Sequence, residues 1–137
     1  MARPAADPRL VDAAKAARGH AHAPYSKFKV GAAILADDGK IYSGCNVENA
    51  AYPNGVCAET SAISAMVLGG GKRIHKIAVI GSGKNLVTPC GGCRQRIAEF
   101  ATADTPVHIC GPKGPRATFT IAQLLPESFG MLNLRQK

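Results

Sequence analysis

The sequence predicts one α/β domain in three layers, α/β/α, with a mixed central sheet of about five strands. Three observations lead to this fold class. Apolar segments on either side of a turn signal predict a hairpin, strand and helix patterns alternate after it, and glycine or proline ends most segments. Helices that connect parallel strands cover both faces of a sheet. At 137 residues the chain has the length of one such domain, which we place over residues 1–137.

Eight segments carry a periodicity or capping signal that assigns them a secondary structure. Apolar residues at helical spacing, with capping residues at the start and glycine or proline near the end, predict four helices. Apolar and β-branched runs predict a hairpin around the turn at 37–39 and two further strands. The helices are predicted at 7–20, 58–68, 88–100 and 121–125, and the strands at 28–35, 40–47, 76–80 and 107–110.

The second and third predicted helices both begin at cysteines. Cys57 lies at the start of the second helix. Thr88 and Pro89 are predicted as the N-cap and first position of the third helix, which places Cys90 and Cys93 on one face of its first turn. Right-handed crossovers bring both helix starts to the same edge of the sheet. We therefore expect the three thiols to converge.

Three thiols can hold a zinc ion with one position open, and a nearby carboxylate can act on whatever occupies that position. Zinc with three protein ligands keeps a fourth position for water, and Glu59 lies two residues after Cys57. The positive ends of two helices favour thiolates, and a nearby carboxylate can move protons between water and substrate. The sequence therefore predicts a catalytic Zn²⁺ centre with Cys57, Cys90 and Cys93 as ligands and Glu59 as the catalytic residue.

The other cysteines and the histidines are assigned to the core or the surface. Cys45 and Cys110 lie on predicted strands, where small buried thiols are common. The four histidines show no ligand spacing. A structural zinc or nucleic-acid-binding module, closed by a distant fourth cysteine, is the alternative from a different class. Glu59 separates the two interpretations, since a purely structural site does not need it.

Composition restricts the partners and the compartment. The net charge of +8 comes from scattered Lys and Arg residues, and aromatic residues make up 5% of the chain, so we predict no nucleic-acid partner. The apolar runs are too short to cross a bilayer, and the beginning of the chain lacks a secretory signal. Five cysteines, an odd number, suit a reducing compartment. We therefore expect a cytoplasmic protein with no membrane partner.

Four motifs follow one another in a specific order: 46–53, 56–59, 89–95 with its Pro-Cys-x-x-Cys pattern, and 124–130. Together they resemble the short-chain, homotetrameric cytidine deaminases over about residues 24–130, nearly the whole chain. Zinc deaminases combine Pro-Cys-x-x-Cys with a separate glutamate, and their three-cysteine variant has a cysteine where others have histidine. The resemblance implies the cytidine deaminase-like fold.

The resemblance also implies a reaction. Cytidine and deoxycytidine would be hydrolysed to uridine and deoxyuridine in pyrimidine salvage, by attack of a zinc-activated water at C4. Glu59 would carry protons from the water to N3 and then to the departing ammonia. A blasticidin-S-type or other small-molecule zinc aminohydrolase is the nearest alternative among enzymes. The polar stretch 46–49 favours the nucleoside, because hydroxyl groups reward paired donors and acceptors.

Further site residues come from the resemblance alone. Phe28 would pack on the base, Asn46 and Glu48 would bind the ribose hydroxyls, and the Ala58 backbone would contact the pyrimidine. Two aromatic residues would help to complete the sites of neighbouring subunits in a homotetramer; they are Tyr52 and Phe129.

One position departs from the family pattern. Many relatives carry arginine directly after the glutamate, whereas this chain has Thr60. Arginine at that position is suited to offsetting thiolate charge. Our hypothesis is that Arg94, adjacent to a predicted ligand, compensates in part.

Overall fold

The computed structural model describes residues 5–136, which form five strands and five helices. The strands are β1 (Gly31–Ala36), β2 (Ile41–Cys45), β3 (Ile74–Ile80), β4 (Pro106–Gly111) and β5 (Gly114–Thr120). The helices are α1 (Pro8–Arg18), α2 (Ala58–Leu68), α3 (Gly91–Phe100), α4 (Ile121–Leu124) and α5 (Met131–Arg135), with a 3-10 turn at Tyr52–Asn54. None of these helices combines the length and the hydropathy that crossing a membrane requires.

The five strands form one mixed sheet in the order β2-β1-β3-β4-β5. β1 pairs antiparallel with both β2 and β3, β3 pairs parallel with β4, and β4 pairs antiparallel with β5. The parallel pair is the one joined by a helical crossover, as the alternating sequence pattern predicts. The mixed sheet of about five strands is therefore confirmed.

Helices cover both faces of the sheet. On one face α2, α3 and α4 pack their apolar residues against alternate residues of β1, β3 and β4, including Ile34, Ile77 and Ile109. On the other face, Leu10 and Ala14 of α1 pack against the intervening residues of the same three strands, such as Ala78. Alternation along a strand places successive side chains on opposite faces, which is why one sheet serves two cores. The three-layer prediction is confirmed.

Local signals set several element ends where the sequence places them. Asp7 caps α1 by accepting a 2.9 Å hydrogen bond from the Arg9 backbone N–H, and Gly19 follows the last helical residue. Gly39 makes the hairpin turn in the left-handed region, at φ +79°. A Cβ on Gly44 of β2 would come within 2.4 Å of the Ala62 backbone nitrogen. The glycine thus lets α2, which carries part of the candidate site, lie directly on the sheet.

Three elements differ from the prediction. β5 was not predicted, because its edge position leaves its residues half-buried or exposed and its sequence lacks an apolar run. The third helix begins at Gly91 with Cys90 as N-cap, so the assignment of Thr88 and Pro89 to these roles is wrong. The sulfur-bearing residue itself takes the extended capping conformation. The helix α5 was also not predicted.

The imidazole of His108 is buried on the face of the sheet that α1 covers. His108 of β4 is fully buried, and its Nδ1 lies 2.8 Å from the Thr118 Oγ1. Its Nε2 is buried without a hydrogen-bond partner among the described residues. Burial, with a smaller contribution from the charge of Lys76, lowers the pKa of His108 below its usual range. The folded protein therefore favours the neutral form of this imidazole.

We expect this histidine to make the fold sensitive to acid. Since the pKa of His108 is lower in the folded state, the unfolded chain binds the additional proton as pH falls below about 6.5. The contribution of the neutral His108 to the free energy of unfolding is therefore complete above that pH. It declines below that pH by at most about 1.4 kcal/mol per pH unit. Urea unfolding of His108→Gln between pH 7.5 and 5 should show a shallower decline than the parent. The exposed His75→Gln variant is the control, and equal slopes in all three proteins would contradict the prediction.

Candidate functional site

The structure brings together the three thiols at one edge of the sheet. The sulfur atoms of Cys57, Cys90 and Cys93 all lie within 4.8 Å of one another. Cys57 is the N-cap of α2 and Cys90 the N-cap of α3, both in extended backbone conformation, and Cys93 lies in the first turn of α3. The two helix starts therefore meet, as the crossover argument predicts.

The thiol cluster fits a zinc ion. Zinc–sulfur bonds of about 2.3 Å in a tetrahedron separate the sulfurs by about 3.8 Å, which lies inside the observed spread. Among the described residues, no fourth cysteine, histidine or carboxylate joins these three thiols as a further protein ligand. This donor set suits a zinc site with one open position, and it disfavours the closed structural site that was the alternative.

The protein shifts the pKa values of the three thiols in different directions. Burial raises the pKa of the Cys57 thiol and of the fully buried Cys93 thiol. Backbone hydrogen bonding from Cys93 lowers the pKa of Cys90, which is exposed. A bound metal must displace protons from such thiols, and so zinc binding at this site releases protons.

Glu59 faces the same cavity from the first turn of α2. Its side chain is only 4% exposed, and burial raises the pKa of its carboxyl group. In an ideal helix residues two apart point in different directions, but the extended conformation of Cys57 places that residue before the helix. The carboxyl and the thiol can therefore line one cavity. A buried carboxyl with a raised pKa is suited to taking up and releasing a proton.

The thiols and Glu59 form the inner wall of a cavity of about 580 Å³. Most residues with a predicted site role line it, and they come from four separate segments of the chain. They are Phe28, Asn46, Glu48, Tyr52, Cys57, Ala58, Glu59, Cys90 and Cys93. Phe129 does not line this cavity, and its side chain is 60% exposed.

The carboxylate of Glu48 is held by the segment that leads to Phe28. One oxygen, Oε1, accepts hydrogen bonds from the backbone N–H groups of Tyr25 and Ser26, at 3.0 and 3.1 Å. The other, Oε2, accepts a hydrogen bond from the Ser26 hydroxyl. These bonds, led by that of the Ser26 hydroxyl, lower the pKa of Glu48, so the group is a fixed anion. Sequence reasoning missed Ser26, and its only signal was a hydroxyl two residues before Phe28.

Asn46 fastens the other end of the same segment. Its Oδ1 accepts a 2.8 Å hydrogen bond from the Val30 backbone N–H, and its Nδ2 donates a 2.8 Å bond to the Phe28 carbonyl. One lone pair and one N–H of the amide are not used by these two bonds. The side chain can therefore support the cavity wall and still offer a donor and an acceptor to a ligand.

The contacts of Arg94 differ from those expected of a charge that acts on the thiolates. Its Nε donates to the Pro89 carbonyl at 2.7 Å and its Nη2 to the Thr88 hydroxyl at 3.2 Å, whereas Nη1 donates to the Leu124 carbonyl at 2.9 Å. Arg94 thus fixes the two residues before Cys90 and ties them to the end of α4. These contacts give it a structural role, and its compensation of thiolate charge stays a prediction.

Comparisons with known proteins agree with this site. The family described as "Cytidine and deoxycytidylate deaminase zinc-binding region" matches residues 4–109. A protein from Sporosarcina psychrophila named cytidine deaminase is 45% identical over 126 residues, which are 92% of this chain and 93% of that protein. The family match spans every predicted site residue except Phe129.

Solved structures show the same likeness. A crystal structure of cytidine deaminase from Burkholderia pseudomallei has a TM-score of 0.83 and 41% identity, over 88% of this chain and 97% of that chain. The structure of cytidine deaminase from Mycobacterium tuberculosis has a TM-score of 0.77 and 37% identity, over 90% and 96%. With its three-cysteine cluster and adjoining glutamate, the chain belongs to the cytidine and deoxycytidylate deaminase family and carries that family's zinc-binding region.

Proposed function

We propose that the protein is a zinc-dependent cytidine deaminase, which hydrolyses cytidine and deoxycytidine to uridine and deoxyuridine with release of ammonia. The observation that carries this proposal is one cavity that holds three converging thiols and a buried carboxyl. The names of the relatives support the substrate. Pyrimidine salvage in the cytoplasm is the physiological setting that we propose.

Cys57, Cys90 and Cys93 would hold the metal. When bound, zinc lowers the pKa of a coordinated water and so supplies a nucleophile at neutral pH. Positioning of the substrate falls to the protein. Phe28 packs against the base, and the Ala58 backbone contacts the pyrimidine. Asn46 and Glu48 bind the ribose hydroxyls.

Glu59 moves the protons. Its carboxylate accepts a proton from the water and delivers it to N3 of the pyrimidine, which makes C4 more electrophilic. After the water oxygen has bonded to C4, Glu59 transfers the second proton of the water to the amino group, and the C4–N bond breaks to release ammonia. Burial suits Glu59 to this exchange, because it raises the pKa of the carboxyl group and so makes the group a better proton acceptor than an exposed carboxylate.

We further propose that the protein acts as a homotetramer in which Tyr52 and Phe129 complete the sites of neighbouring subunits. Both side chains are exposed in the single chain, at 75% and 60%. Leu132 and Leu134 of α5 are exposed at 83% and 76%. Exposed apolar residues grouped near one terminus are typical of an interface.

Purified protein supplied with zinc should deaminate cytidine, measured as the loss of cytidine absorbance, and should contain about one zinc per chain. Blasticidin S, assayed in parallel, distinguishes the alternative, because a site that rewards the ribose hydroxyls should favour cytidine. Light scattering on the same sample should give the mass of four chains. No turnover of cytidine by zinc-loaded protein would contradict the proposed function. A fully active monomer would contradict the shared sites alone.

A further inference from the structure

We propose that Ser26 is a positioning residue that sets the orientation of Glu48 and thereby determines how the enzyme recognises the sugar. The inference rests on the proposed function, and it adds a residue that has no assigned role. Three contacts carry it, and all of them meet at the Ser26 hydroxyl or at the Glu48 carboxylate.

The Ser26 hydroxyl has its donor and an acceptor site engaged. It accepts a 3.0 Å hydrogen bond from the Phe28 backbone N–H and donates to Oε2 of Glu48. A hydroxyl has a single proton, so the bond from Phe28 leaves that proton free to point at the carboxylate. Ser26 therefore connects the backbone of the residue that packs on the base with the acceptor that faces the sugar.

The Glu48 carboxylate keeps part of its hydrogen-bond acceptor capacity for a ligand. A carboxylate offers about four acceptor sites, and the bonds from Tyr25 N–H, Ser26 N–H and the Ser26 hydroxyl use three of them. One acceptor site of Glu48 is left. The carboxylate can thus accept one ligand hydroxyl without giving up a protein contact, and its direction is fixed by the other three.

The backbone around Ser26 is held in an uncommon conformation. Lys27, between Ser26 and Phe28, has φ +61°, in the left-handed region that residues other than glycine rarely occupy. Such a conformation persists when surrounding contacts enforce it. Here those contacts come from Glu48 on one side and from Asn46, which binds the Phe28 carbonyl, on the other.

The Ser26→Ala variant removes the hydroxyl bond and keeps both backbone N–H bonds to Glu48. Oε2 can then turn away from the ligand or bind water. We expect the loss to depend on the sugar, because the base is contacted by other groups. Inhibition constants of uridine, 2′-deoxyuridine and 3′-deoxyuridine against cytidine turnover measure this directly, since these ligands do not need to react.

The expected result is a rise of roughly five- to tenfold in the uridine inhibition constant for Ser26→Ala, in line with the net contribution of one ordinary hydrogen bond, because the change weakens the sugar contact only through Glu48. With at least one deoxy analogue the rise should be less than about twofold. Ser26→Thr, which keeps the hydroxyl, should resemble the parent. In a Glu48→Ala background, Ser26→Ala should have no further effect. Ser43→Ala, an exposed serine on β2, is the matched control.

An equal rise for all three nucleosides would show that Ser26 merely supports the fold, and it would overturn the inference. An unchanged uridine constant in Ser26→Ala would overturn it as well, as would a Ser26→Thr variant that behaves like Ser26→Ala. These outcomes are distinct from a failure of the proposed function, in which the parent protein does not turn over cytidine at all.

Discussion

The Glu59→Gln variant is expected to bind zinc and fold normally while losing roughly 10²- to 10⁴-fold in kcat for cytidine, the range for a removed general acid–base group. Glutamine has nearly the size and shape of glutamate, but its amide cannot accept a proton from water. Both proton transfers assigned to this position depend on that capacity. The change is therefore directed at the chemical step.

The Glu59→Gln variant should fold normally, because the side chain at this position is buried. The side chain is 4% exposed and burial raises its pKa, so the fold already disfavours the charged form. A neutral amide avoids this desolvation. Thermal unfolding should show a midpoint at or above that of the parent, and zinc content should stay near one per chain.

The measurements are steady-state kinetics, metal analysis and thermal unfolding on the same preparation. Glu99→Gln, on the exposed side of α3, changes the net charge equally and should retain full activity. A Glu59→Gln variant with kcat within about threefold of the parent would remove Glu59 from the mechanism, since such a change is far below the effect of a general acid–base group.

Loss of one thiol from the cluster should be the most damaging single change to metal binding. Cys93 is fully buried and lies within reach of both other sulfurs. In Cys93→Ala two thiols remain, and the site should lose its zinc to a chelator that leaves the parent loaded. Deamination should fall below detection. The thermal midpoint should no longer respond to added zinc, because ligand binding stabilises a fold only through affinity for the native state.

Cys110→Ala provides the control for removing a buried thiol. Cys110 is 3% exposed, lies outside the cluster, and packs against α1. This variant should lose some stability through the small cavity that it creates. Its zinc content, and the increase in midpoint on adding zinc, should match those of the parent. Retention of tightly bound zinc in Cys93→Ala would contradict the three-thiol site.

What the sequence could predict depended on the range of the contacts. Capping by Asp7 and the turn at Gly39 are local, and both were predicted. Convergence of Cys57 with Cys90 spans 33 positions, yet it followed from a handedness rule that applies to all parallel crossovers. Topological rules can therefore place residues that adjoin the ends of regular elements.

No such rule predicts the contacts that irregular segments make. Ser26 and Glu48 are 22 positions apart in two loops, and neither periodicity nor a capping pattern links them. β5 has polar residues on an edge, where the sheet does not demand an apolar pattern. The start of α3 was predicted too early for a different reason. Thr88 and Pro89 have the residue types preferred at an N-cap and a first helical position, whereas Cys90 is the N-cap in the structure.

The two neighbouring side chains that follow Cys93 reach different parts of the carboxyl-terminal region. Arg94 binds the carbonyl of Leu124, and Gln95 donates a 2.9 Å hydrogen bond to the carbonyl of Phe129. The tail is thus anchored to the helix that presents two of the sulfurs. Shortening this end of the chain past Leu124 would remove both contacts and should disturb the metal ligands, so an affinity tag is better attached at the opposite terminus.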